Sequence, residues 1–123
     1  MDKATKAKAW HDRNGIVCGI RFPSRLEANR FQQLLFLLKA GEICDLSLQF
    51  EFQILHGYIN PETGEKEKSS YYVADFVYLD CRDHKWIAED TKGMETKDFK
   101  LKWKMVKQKY PQYTFRKLTR NDV

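Results

Sequence analysis

The run Tyr71-Tyr72-Val73-Ala74-Asp75-Phe76-Val77-Tyr78-Leu79 is apolar on both faces of an extended chain, and it constrains the fold more than any other segment. Side chains of a strand alternate between two faces. A strand apolar on both therefore needs cover on both and reads as the centre of a sheet. One carboxylate, Asp75, interrupts the run. An unpaired charge among aromatic and β-branched residues is costly unless a cation or a hydrogen bond answers it.

The next extended segment, Trp86 to Thr91, ends in Glu89-Asp90-Thr91-Lys92-Gly93. Alternation aims Asp90 and Lys92 to one side and sends Glu89 and Thr91 to the other. A carboxylate and an ammonium are thereby directed at one spot. A divalent metal shared by Asp75 and Asp90 would offset the burial of both acids, so the pattern reads as a metal-dependent phosphodiesterase site.

Around these strands the rest of the fold can be laid out. Asn14-Gly15 signals a turn, and Ile16 to Phe22 reads as a short strand within an N-terminal hairpin. Ser24-Arg25-Leu26-Glu27 matches a capping box and Gly41 a helix stop, which predicts a helix from about Ser24 to Ala40. In Cys44 to Leu55, Leu46, Leu48, Phe50, Phe52 and Ile54 alternate with polar residues, the pattern of a half-buried strand. His56 to Ser70 is too polar to bury and reads as a loop. Asp80 to Lys85 is a turn. Thr96 can cap a second helix with Phe99, Trp103, Val106 and Tyr110 on its apolar stripe, ended by Pro111. Gln112 to Leu118 is a final strand, parallel to its neighbour because a helix separates the two.

At 123 residues the chain has room for one domain, and 42% hydrophobic with 14% aromatic residues can fill its core. Residues 1–12 are lysine-rich and unpatterned and read as a flexible basic arm; 13–123 form the single domain. Lysine and arginine exceed acids by 22 to 17. Between Lys92 and Arg120 only Glu95 and Asp98 oppose the basic residues. Clustered positive charge beside a carboxylate site points to a polyanionic substrate. Cys18, Cys44 and Cys81 are odd in number and lack paired spacing, which argues for reduced thiols and a cytoplasmic setting. No apolar leader or membrane segment is legible.

Taken together, Phe22-Pro23-Ser24-Arg25-Leu26-Glu27-Ala28, Leu46-Ser47-Leu48-Gln49-Phe50, Tyr72-Val73-Ala74-Asp75-Phe76 and Glu89-Asp90-Thr91-Lys92-Gly93 resemble the PD-(D/E)XK nuclease superfamily. More closely they resemble a small phage and prophage endonuclease-like family within it, similar to Holliday-junction resolvases. The resemblance spans roughly residues 14 to 118. The residue before the first acid is Ala74, where that pattern usually has proline. The resemblance implies an α/β, restriction-endonuclease-like αβββαβ core, a mixed sheet flanked by helices. It implies that Asp75 and Asp90 bind Mg²⁺ or Mn²⁺, that Lys92 contacts the scissile phosphate or the attacking water, and that Glu27 is an auxiliary acid and metal ligand. It further implies DNA, branched in form, as substrate, and a phage-encoded enzyme acting in the bacterial cytoplasm during recombination or replication; so small a nuclease would need a symmetric homodimer to make paired cuts in opposed strands. A sequence-specific or nicking endonuclease on linear duplex, and a catalytically silent nucleic-acid-binding module, are the alternatives.

Each residue also has a plainer reading. Asp75, Asp90 and Lys92 could be a cross-strand ion pair, which at a surface is nearly neutral in energy. Glu27 could serve only the capping box, although a helical wheel puts it in line with Phe31, Leu34 and Leu38 on the buried stripe. Glu89 faces away and suits a structural role. Gln49 is a half-exposed glutamine or a contact to water or metal. Lys97, Lys100, Lys104 and Lys107 form one stripe on the second helix. They are a solvated face unless DNA phosphates meet them, and the near absence of acids four residues away leaves their repulsion unrelieved. His11, His56 and His84 have no ligand spacing.

Overall fold

The structure, a computed structural model, describes residues 16–17 and 19–123. The arm at 1–12, the Asn14-Gly15 turn, His11 and Cys18 lie outside the described residues. The stretch expected as one short strand folds back on itself: β1 (Ile16–Val17) pairs antiparallel with β2 (Ile20–Arg21), and Gly19 turns between them at φ 81°.

Helix α1 spans Arg25–Lys39. Ser24 Oγ accepts the Glu27 N–H at 3.1 Å, which satisfies one of the free donors at the helix start. At the other end Gly41 adopts φ 77°; its N–H bonds Leu38 O, and the Glu42 N–H bonds Leu37 O. This is a Schellman closure, and the left-handed conformation it needs is open to glycine at little cost.

Four strands follow in one mixed sheet: β3 (Ile43–Leu55), β6 (Ser70–Asp80), β7 (Lys85–Thr91) and β8 (Tyr113–Leu118), in the order β3-β6-β7-β8. The first three are mutually antiparallel and β8 runs parallel to β7, after helix α2 (Lys97–Lys109). The segment 56–70 is an exposed ribbon, with β4 (Tyr58–Ile59) paired to β5 (Lys66–Glu67) around an Asn60–Gly64 turn.

The core lies on both faces of the sheet, as the Tyr71–Leu79 run demands. Phe22, Phe31, Leu34, Phe76, Tyr78 and Ile87 pack together on the α1 side. Phe52, Tyr72, Ala74, Val77, Phe99, Trp103 and Val106 do so on the α2 side. The alternation expected along β3 holds in burial, each apolar residue from Leu46 to Ile54 being less exposed than the polar residues beside it, but these apolar residues do not all join one cluster. Leu46 and Leu48 pack against the α1 cluster, whereas Phe50, Phe52 and Ile54 belong with the α2 cluster. Residues two apart on a regular strand share a face, so β3 exchanges faces at Gln49. The cause is in the backbone: Gln49 sits at φ 52°, a left-handed conformation uncommon for a residue with a side chain. The central strand makes the same exchange between Ala74 and Phe76, at Asp75. The Leu48–Phe76 and Phe50–Ala74 pairs bracket Gln49 and Asp75, so the two crossing points are opposite each other.

Candidate active site at the sheet crossing

The crossing frees two polar residues from the apolar layers and brings them to the first turn of α1. Glu27, 5% exposed, accepts a hydrogen bond from Gln49 Nε2 at 3.1 Å. Among the described residues its carboxylate does not reach back to the Ser24 N–H, so the capping box is half made. Burial, followed by the charges of Asp75 and Asp90, pushes the Glu27 carboxyl up to about 8. The wheel expectation holds at Phe31 and Leu34, which are buried, and fades at Leu38, which is exposed.

Asp90, 2% exposed near the end of β7, receives the Tyr72 hydroxyl on Oδ2 in a short hydrogen bond. Its Oδ1 is buried and accepts no hydrogen bond among the described residues. Lys92 Nζ stands 3.4 Å from that oxygen, an ion pair without hydrogen-bond alignment. Burial first, and the Asp75 charge second, push the Asp90 carboxyl up to about 7. Lys92 is held on its other side over the Phe99 ring, 4.5 Å from the centroid. That cation–π contact couples the lysine to the start of α2.

Asp75 differs from its expected setting. It is half-buried, and its Oδ2 accepts both the Thr91 N–H and the Thr91 hydroxyl at 2.9 Å. The exchange of faces at this residue swings it out of the apolar layer, so hydrogen bonds answer part of its charge. Asp75, Asp90, Lys92 and Glu27 thus share one neighbourhood. Among the described residues, however, no three acid, histidine or cysteine side chains are gathered into a ready metal-ligand set.

Glu89 faces the opposite side, as alternation requires. It is fully buried, held by Arg30 through Nε–Oε1 at 2.8 Å and Nη2–Oε2 at 2.6 Å, and by a short bond from the Tyr78 hydroxyl. This two-pronged pairing compensates a buried charge and ties α1 to the sheet. Lys97, Lys100, Lys104 and Lys107 are all exposed on α2, away from the buried Phe99 and Val106, and Lys107 Nζ lies over the Trp103 ring, 5.6 Å from its centroid. The acid Asp98 pairs with Lys102, outside the stripe, at 3.6 Å.

Sequence reasoning missed Tyr72, Thr91 and Arg30. Thr91 and Arg30 carry no signal by spacing, because their partners lie on other elements. Tyr72 had one faint signal, a hydroxyl placed on a strand that must be buried on both faces, where it needs an acceptor.

Fold and site together define a mixed α/β domain, a four-stranded mixed sheet flanked by two helices, with a carboxylate and lysine cluster where two strands change faces. The chain belongs to the family described as Protein of unknown function (DUF1064), whose model matches residues 8–121. Neither the curated proteins nor the solved structures include a match. No helix among the described residues is long and apolar enough to cross a membrane.

Proposed function

We propose that this protein is a divalent-metal-dependent DNA endonuclease of the PD-(D/E)XK type, selective for branched DNA of the Holliday-junction kind and set in phage recombination or replication. The observation that carries the reading is the state of Glu27 and Asp90. Burial, and then the charge of Asp75, push both carboxyls above the ordinary carboxylate range, and Asp90 Oδ1 lies buried with no hydrogen bond among the described residues. A plain Asp90–Lys92 ion pair does not account for the further acids Glu27 and Asp75 whose charges bear on it.

The donor chemistry fits Mg²⁺ or Mn²⁺. Carboxylate oxygens are the ligands such ions prefer, Asp90 Oδ1 accepts no hydrogen bond among the described residues and has only the Lys92 ion pair at 3.4 Å, and the repulsion among the acids is what a cation relieves. Asp75, Asp90 and Glu27 would hold the ion, which supplies a more acidic water and charge stabilisation at phosphorus. Lys92 then orients the nucleophile or balances charge on the phosphate in the transition state. Tyr72 and Thr91 fix the rotamers of Asp90 and Asp75. Gln49 holds Glu27 toward the same site. Lys97, Lys100, Lys104 and Lys107 track the DNA backbone by binding its phosphates. Paired cuts in opposed strands require two such sites, which a symmetric homodimer provides.

The silent DNA-binding alternative draws on the absence, among the described residues, of a ready three-ligand set and on Thr91's hold on Asp75. One panel separates the readings: linear, flap, splayed and four-way DNA incubated with Mg²⁺, Mn²⁺ or chelator. Metal-dependent cleavage concentrated on branched substrates is expected. Cutting tied to a base sequence on linear duplex would favour the site-specific alternative, and binding without cleavage on every substrate the silent one.

A further inference from the structure

Away from the acids, one end of the β3–β6 pair brings two cysteines together. Cys44 and Cys81 are separated by 37 positions in the chain, yet the Cys81 thiol donates to the Cys44 sulfur at 2.9 Å. Both are free and partly exposed. The ladder explains the meeting: Cys44 pairs with Leu79, and the Cys81 N–H continues the ladder to Glu42 O at 2.9 Å. The two cysteines are therefore diagonal neighbours on adjacent strands. Sequence spacing gives no hint of this, because strand register brings them together.

Both residues border irregular backbone. Cys81 opens the turn that holds His84 at φ 59°, and Cys44 directly precedes Asp45 at φ 55°, where the β3–β6 register slips. Closing the sulfurs to the roughly 2.05 Å of a disulfide asks for less than about 1 Å of movement. The two sulfurs share one S–H···S contact, and Cys81 leads directly into the exposed residues 82–85, where a small disulfide can reach it, so Cys81 attacks first and Cys44 follows.

We propose that Cys44 and Cys81 form a reversible dithiol–disulfide site whose oxidant is a low-molecular-weight disulfide of the glutathione class. The Cys81 thiolate attacks one sulfur of oxidised glutathione; a mixed S–S bond forms as the original one breaks, and one glutathione thiolate leaves. Cys44 then gives up its proton and attacks Cys81 Sγ, expelling the second glutathione. Two protein thiols are oxidised, one small disulfide is reduced to two thiols, and the two protons lost by the protein pass to them. The bond ties the start of β3 to the end of β6, the strand pair that carries Gln49 and Asp75 further along.

The test uses the full chain with Cys18→Ser, which leaves this pair as its only thiols. The folded protein is equilibrated in glutathione buffers, quenched in acid, alkylated and mapped by mass spectrometry without reduction. A Cys44–Cys81 cross-link is expected, removed by excess dithiol, and favoured at least about tenfold over the same chain unfolded in guanidinium, because the fold raises the effective concentration of one thiol at the other. Adding Cys44→Ser should stop the reaction at a glutathione adduct on Cys81. Separate glutathione adducts on both cysteines with no cross-link, equal cross-linking in the folded and unfolded chain, or an unmodified Cys81 in the Cys44→Ser variant would each overturn the proposal.

Discussion

Burial and neighbouring acids push the Glu27 and Asp90 carboxyls above the ordinary carboxylate range, and this sets how the metal-free protein responds to pH. The Glu27 carboxyl is raised from 4.5 to about 8 and the Asp90 carboxyl from 3.8 to about 7. With folded values above unfolded ones, the native state binds more protons between them. Stability therefore falls as pH rises from about 4 to about 8 and levels off beyond. A bound divalent cation removes the repulsion, so Mg²⁺ should raise Tm more at pH 8 than at pH 5, where protons compete for the same oxygens. Melts with and without Mg²⁺ at the two pH values measure this, and equal shifts would count against the acids as ligands. Lys92→Met keeps the stem and removes the charge. It should lower the single-turnover rate by at least about 10²-fold with DNA still bound, whereas an unchanged rate would reduce Lys92 to the ion-pair partner of Asp90.

Among the helices and strands, α1 is joined to the sheet by Arg30 and Glu89, and α2 carries the lysine stripe. Arg30→Ala leaves Glu89 buried without its cation, a loss of about 3–5 kcal/mol. Denaturant unfolding checks it, and a loss under about 1 kcal/mol would mean that Tyr78 alone satisfies Glu89. Replacing Lys100, Lys104 and Lys107 by glutamine should weaken DNA binding evenly across sequences. It should also flatten the log–log salt dependence by about one unit for each phosphate that the helix no longer neutralises. An unchanged slope would make the stripe a solvated face. The elements themselves were largely legible because local chemistry writes them: Ser24 and Gly41 bound α1, Thr96 and Pro111 bound α2, and Tyr71–Leu79 announces its own centrality. Gln49 shows where legibility stops. Nothing in Leu48-Gln49-Phe50 distinguishes a strand that changes faces from one that alternates, since the positive φ at Gln49 coincides with a division of contacts between two clusters that no local pattern contains. Arg30 was likewise silent, because its partner lies 59 positions away.

Across the molecule, local pattern carries the identity of the site residues and only assembly reveals their meeting. Alternation set Asp75 within an apolar strand and Asp90 and Lys92 on one side of the next, and the wheel of α1 turned Glu27 inward; the resemblance named the four as candidates. Their convergence depends on strand register and on the paired crossing at Gln49 and Asp75, which no window of sequence contains. The placement of Asp75 against Thr91, and of the two cysteines against each other, arises in the same way. Whether these acids form a metal-dependent site for cutting DNA can be decided by comparing wild type with Asp90→Asn in single-turnover cleavage and in binding, both on a four-way junction with Mg²⁺. The substitution keeps the shape of the side chain and removes the charge that would hold the cation, so cleavage should vanish while the junction is bound as tightly or more tightly. Cleavage by Asp90→Asn at near the wild-type rate would contradict the assignment.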